Sequence, residues 1–213
     1  SEHHAACTFA NTRKGARSPL TQIAAPRAIR YHRPMSFERI FFIGPMGAGK
    51  STVGKRVARQ LNWTFVDLDR CIESDAGATV SLIFEVEGEA GFRARETQAL
   101  ANQSARKNVV VATGGGAVLA HSNHEWLRSG VIVYLEAPVE LQLERLARDH
   151  TRPLLQTPDR AERLRRLAEV RNPIYAALAD VRITADRHGP GPTARRVLAA
   201  LQQCFPDPSN EST

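Results

Sequence analysis

No apolar run in this 213-residue chain approaches the roughly 18 residues that a helical membrane span requires, so the sequence offers no membrane anchor of that kind. Cysteine is scarce too. Cys7, Cys71 and Cys204 stand far apart, with neither C-x-x-C nor metal-ligand spacing, which removes a disulfide framework and a thiolate metal centre and leaves passive thiols of a reducing compartment. There is no internal repeat, and acid is nearly missing from the first 34 residues. There Glu2 alone faces Arg13, Lys14, Arg17, Arg27, Arg30 and Arg33, so +5 of the formal net charge of +7 sits in this stretch and only +2 in everything after it. A sequence pI near 9.9 therefore marks a basic leader and not a nucleic-acid-binding body.

The leader, 1–34, also lacks the continuous apolar core of a secretory signal and any sustained period, and is expected to be disordered. Its Arg-rich, acid-poor composition is compatible with an organelle transit peptide. Met35 lies immediately before the first apolar run, however, and an upstream extension preceding a start at Met35 is the favoured expectation. Residues 35–205 are expected to form one domain, with 206–213 a flexible polar tail. A hydrophobic content of 42% and a charged content of 24% suit a globular protein of this size.

What is present centres on Gly44-Pro45-Met46-Gly47-Ala48-Gly49-Lys50-Ser51-Thr52, a full match to the phosphate-loop pattern G-x-x-x-x-G-K-[ST]. Its glycines let backbone N–H groups turn inward around phosphate oxygens, Lys50 brings a mobile charge to the β- and γ-phosphates, and the Ser51 hydroxyl is placed to ligate Mg²⁺. A short apolar strand at 39–43 precedes the loop and helical spacing at 53–61 follows it, the order this motif needs. The helix N-terminus adds donors and a positive dipole end.

Further strands are expected at 63–67, 109–113, 131–135 and 181–184, alternating with helical stretches, the pattern of an α/β domain with a parallel sheet covered on both faces. The second strand ends in Asp67-Leu68-Asp69, two carboxylates where such sheets place ligands; loop acids capping the next helix is the alternative. Residues 79–105 read as two helices broken near Gly88 and Gly91, an insertion suited to receiving a substrate. The third strand runs into Gly114-Gly115-Gly116, which points to a close approach by a ligand. A helix at 139–149 leads to Thr151-Arg152-Pro153-Leu154-Leu155, a segment able to act as a lid over phosphates, although Arg152 alone would read as a solvated arginine. Arg171-Asn172-Pro173-Ile174-Tyr175 marks a break between a helix at 161–170 and a short helix, and 192–204 is the last helix.

Taken together, the phosphate loop, Asp67-x-Asp69, Phe92-Arg93-x-x-Glu96, the triple glycine, Arg152-Pro153-Leu154-Leu155 and Arg171-Asn-Pro-x-Tyr175 resemble the shikimate kinases, in order and at the expected separations over residues 38–203. The resemblance implies a phosphate-loop kinase fold of the nucleoside-monophosphate-kinase type, with five parallel strands, a substrate-binding helical insertion and a lid at about 147–160. It implies transfer of the γ-phosphoryl of ATP to the 3-hydroxyl of shikimate, with Mg²⁺ as cofactor and ATP and shikimate as the only partners, in a cytoplasmic monomer that binds neither nucleic acid nor membrane. Gly47, Ala48, Gly49, Lys50, Ser51 and Thr52 would cradle the phosphates, with Ser51 and Asp67 on the metal. Asp69 would hold the reacting hydroxyl and accept its proton. Arg93 and Arg171 would clamp the carboxylate beside the Gly115 and Gly116 backbone. Lys50 and the lid's Arg152 would neutralise phosphate charge, and Arg145 would lie against the adenine.

Three other readings share parts of this pattern. A gluconate or nucleoside-monophosphate kinase would keep the loop but needs other acceptor contacts. A guanine-nucleotide switch normally carries Asn-Lys-x-Asp, which the chain lacks. A nucleic-acid binder would rest on the leader alone.

Overall fold

The computed structural model describes residues 7–8, 37–147, 159–187 and 189–206. Its strands are β1 (Cys7–Thr8), β2 (Arg39–Ile43), β3 (Thr64–Asp67), β4 (Val109–Ala112), β5 (Val131–Glu136) and β6 (Val181–Thr184). They form one parallel sheet in the order β1-β6-β5-β2-β4-β3. Five are the strands the sequence leads one to expect. The sixth comes from the leader, where Cys7 and Thr8 pair with Val181 and Arg182 along β6.

The central strands β2, β4 and β5 are near-continuous apolar runs because both faces are covered, whereas β3 and β6 carry polar and partly exposed residues. In β2, Ile40 and Phe42 point to one face and Phe41 and Ile43 to the other, and all four are fully buried. Removing each such side chain from water is worth about 1.5–3 kcal/mol. The first face packs against α1 (Lys50–Leu61) and α7 (Pro190–Cys204). On the second lie α2 (Leu68–Ala76), α3 (Val80–Ser104), α4 (Ser122–Arg128) and α6 (Arg160–Leu178). Cys204 packs on the first face and Cys71 on the second, so the sheet separates them. The remaining helix, α5 (Val139–Leu146), follows β5.

A sharp bend divides α3. Gly88 takes φ 71° and ψ −177°, so the insertion is two helices, as the glycine pattern suggests. Gly91 stays helical, and its part is spatial: a Cβ there would collide with the Glu87 side chain folded over it. From that position Glu87 receives two hydrogen bonds from Arg95, at 2.9 and 2.8 Å, tying the two halves across the bend.

The structure corrects two expectations. The helix after the phosphate loop starts at Lys50, inside the motif, and not at Val53. No break occurs at 171–175: α6 runs unbroken through Pro173, which removes one N–H and one carbonyl partner within a turn, while burial of Arg171, Tyr175 and Leu178 holds the helix in place. Residues 117–128 form a 3₁₀ turn (Ala117–Leu119) and α4. Residues 148–158, most of the expected lid and Arg152 with it, lie outside the described residues. Across the two flanks of that segment, Arg160 Nη1 donates to the Leu146 carbonyl at 3.1 Å.

Candidate active site

All strands being parallel, the carboxyl ends of β2, β3 and β4 open on one rim, where the strand order diverges to either side of β2. The phosphate loop leaves β2 there with Gly44, Gly47 and Gly49 at φ 135°, 73° and 94°. The first turn of α1 holds no acid, and its N-cap, Gly49, has no capping side chain, so an anion is the partner this end is built for. The buried Lys50 Nζ donates to the carbonyls of Gly44 and Pro45 at 2.8 and 2.9 Å, holding the loop curled around it. Arg145 on α5 donates to the carbonyls of Gly47 (2.9 Å) and Ala48 (3.0 Å), and through Nη2 to Asp186 (2.7 Å). It thereby fastens the loop to the segment after β6.

Two clefts meet at this rim. The smaller, about 260 Å³, is walled by the loop from Met46 to Thr52, Thr113 and Arg145. The larger, about 730 Å³, lies between the loop and the insertion, with Phe84, Phe92, Arg93, Glu96 and Arg171 on its wall. Ser51, Thr52, Asp67, Asp69, Gly114 and Gly115 border both. A group held on the phosphate loop can therefore reach one held against the arginines without crossing protein.

Asp67 ends β3 and also caps α2, accepting from the Arg70 N–H at 3.4 Å, so both sequence readings of that carboxylate apply. Asp69 stands in the first turn of α2. Gly114 passes so close to it that a Cβ there would lie 3.1 Å from Asp69 Oδ1 and collide with Glu96. A Cβ on Gly116 would collide with the Arg93 guanidinium. The triple glycine is thus the floor on which the charged side chains rest.

Arg93 gives Nη1 to Glu96 at 2.6 Å and Nη2 to Glu89 at 3.0 Å. Burial works against its charge, but Glu96 and Glu89 outweigh it and hold the guanidinium protonated. Glu96 is fully buried. Burial pushes its carboxyl above the usual range, Arg93 pulls it back, and the neighbouring Asp69 charge pushes it up further. Arg171, on α6, is 6% exposed and acts on Glu96 from the other side of the cleft wall.

The structure brings the expected site residues it describes to one place: Lys50, Ser51, Asp67, Asp69, Arg93, Gly115, Gly116, Arg145 and Arg171 border these clefts. Ala48 is buried within the loop, its carbonyl held by Arg145. Arg152 falls outside the described residues. Sequence reasoning assigns no role to Glu96 or Tyr175, although both close motifs quoted above. The i, i+3 spacing of Arg93 and Glu96 is the available signal for the first, since such pairs share a helix face. No group of three or more His, Cys, Asp or Glu side chains able to hold a metal occurs among the described residues. A hydroxyl and one carboxylate beside a phosphate cradle nevertheless fit Mg²⁺, which keeps several waters and takes phosphate oxygens in place of a protein cage.

A family model described as shikimate kinase matches residues 46–202. A shikimate kinase from Methylococcus capsulatus is 48% identical over 165 residues, covering 77% of this chain and 92% of that one. Among solved structures, the shikimate kinase from Acinetobacter baumannii in complex with shikimate superposes with a TM-score of 0.77 at 42% identity, over 84% of this chain and 97% of that one. The enzyme from Bacteroides thetaiotaomicron gives 0.72 at 36% identity, over 78% and 99%. A phosphate loop opening onto an arginine-walled cleft, a family model spanning both and relatives matched over nearly their whole length agree: the chain belongs to the shikimate kinase family.

Proposed function

We propose that this protein transfers the γ-phosphoryl group of ATP to the 3-hydroxyl of shikimate, giving shikimate 3-phosphate and ADP on the way to chorismate and the aromatic amino acids. The observation that carries this reading is the shared border of the two clefts at Ser51, Asp67 and Asp69. Phosphoryl transfer asks a protein chiefly for positioning and charge neutralisation. Gly47 to Thr52 hold the polyphosphate through backbone donors and Lys50. Arg145 secures that loop on the nucleotide side, and Arg152 is assigned to neutralise phosphate charge.

In the larger cleft, Arg93 and Arg171 take the acceptor's carboxylate, because a guanidinium's planar fork meets two oxygens at once. The Gly115 and Gly116 backbone lies against the ring. Asp69 orients the reacting hydroxyl and receives its proton as the oxygen attacks phosphorus. Ser51 and Asp67 would hold Mg²⁺, whose charge offsets that of the transferring phosphate when it is bound. The working form in this reading is a cytoplasmic monomer.

ADP release in the presence of ATP and Mg²⁺, with shikimate, gluconate, nucleoside monophosphates or no acceptor, tests the proposal. Release that depends on shikimate is expected. Release driven by another acceptor, or by none, would overturn the roles given to Asp69, Arg93 and Arg171 while leaving the phosphate loop in place.

A further inference from the structure

Tyr175 closes the Arg171-Asn-Pro-x-Tyr175 motif, touches neither cleft, and is fully buried. Burial of a phenol demands partners for its oxygen, and these partners link the parts of the site. The hydroxyl donates to the Gly115 carbonyl. The α-carbon of Gly115 faces the root of the phosphate loop: a Cβ there would stand 3.5 Å from the Gly44 carbonyl oxygen, 3.6 Å from the Met46 nitrogen and 3.6 Å from the Tyr175 hydroxyl. One turn earlier on α6, Arg171 lies beside the same hydroxyl. The ring itself is fixed by Tyr134, 5.1 Å away between centroids, whose own hydroxyl donates to Asn172 at 3.3 Å.

In a trans peptide the carbonyl and the following N–H point in opposite directions. Drawing the Gly115 carbonyl down onto the buried Tyr175 hydroxyl therefore turns the Gly116 N–H the opposite way, and both glycines border the larger cleft, where the Arg93 guanidinium sits against Gly116. Among the described residues, neither Gly115 nor Gly116 gives its N–H to another backbone group. We infer that Tyr175 is a positioning residue for the acceptor: its single hydroxyl sets the orientation of the Gly115–Gly116 peptide, keeping a backbone donor facing the acceptor cleft in register with Arg93, Arg171 and the phosphate loop. This rests on the larger cleft being the acceptor site.

The test compares Tyr175→Phe with Tyr134→Phe. Both delete one hydroxyl from adjoining buried rings, but the Tyr134 hydroxyl meets Asn172 and not the acceptor loop. In the full chain, Tyr175→Phe should raise KM for shikimate about tenfold, the scale of one well-made hydrogen bond, with affinity for a fluorescent ADP analogue unchanged. Tyr134→Phe should shift KM less than about twofold even where it lowers thermal stability as much. An unchanged KM in Tyr175→Phe, or equal KM effects in both variants, would overturn the inference. A wild-type protein that shows no shikimate-dependent turnover would instead overturn the acceptor assignment on which it rests.

Discussion

Asp69 and Glu96 are carboxylates a few ångströms apart across Gly114, yet their surroundings give them different work. Asp69 borders both clefts, where a hydroxyl and a phosphate can meet beside it. In the proposed role Asp69 is the base, and Asp69→Asn keeps its shape without that function; kcat should fall at least about a hundredfold while nucleotide affinity survives, measured by steady-state turnover beside nucleotide titration. Glu96 is sealed beneath the arginines, and its burial raises its pKa from the ordinary 4.5. The folded protein therefore holds this proton more tightly than the unfolded chain. The associated stability is complete below the ordinary value and is lost as pH rises through the raised one. Urea unfolding of wild type and Glu96→Gln across this range should show wild type losing ground to the variant as pH increases. A difference that stays flat with pH would mean that Arg93 and Arg171 keep Glu96 ionised in the fold.

Among the elements, α3 does two jobs that a straight helix could not. Its first half brings Phe84 to the wall of the larger cleft, and its second half brings Arg93 and Glu96 to the same wall while Phe92, Ala99 and Leu100 pack into the core. Gly88 makes the turn between them in a backbone region that L side chains rarely adopt, with open space where a Cβ would go. Gly88→Ala should therefore cost about 1–2 kcal/mol through backbone strain alone, read as a lowered urea midpoint, and should raise KM for the acceptor as the two walls shift. The helix α6 is likewise doubly engaged. It presents Arg171 to the larger cleft and Tyr175 to the core one turn later, so its register sets both the guanidinium on the cleft wall and the hydroxyl that holds the Gly115 carbonyl.

For the whole molecule, the two faces of one parallel sheet divide the labour. One face is an apolar packing surface against α1 and α7, and the other carries the insertion and α6, which wall the larger cleft. Among the described residues, none bordering either cleft precedes Met46. A chain starting at Met35 should keep shikimate-dependent turnover within about twofold of the full chain, checked by the same ADP-release measurement. Loss of turnover would show that the pairing of Cys7–Thr8 with β6 carries more of the fold than two residues imply.

Much of this molecule is legible in its residues. A phosphate loop is local: glycines, a lysine and a hydroxyl within nine residues have their geometry set by the adjoining strand and helix, so Lys50 and Ser51 can be assigned from spacing. The central strands β2, β4 and β5 are legible because burial on both faces requires unbroken apolar runs, and the Gly88 bend because few residues besides glycine take that φ. Pro173 misleads because proline's local penalty is offset by the burial of Leu164, Tyr175 and Leu178 along the same helix, which only packing reveals. Glu96 and Tyr175 stay without roles in the sequence for the same reason. Tyr175 meets Gly115, 60 positions away, and Glu96, although paired with Arg93 three residues before it, is buried against the charge of Asp69, 27 positions away. The sequence by itself determined the phosphate loop, the layer pattern and which residues carry charge at the strand ends. Only the tertiary structure decided which of those charges are sealed from water, because desolvation and hydrogen-bond direction depend on neighbours that the fold, and not the chain, brings together.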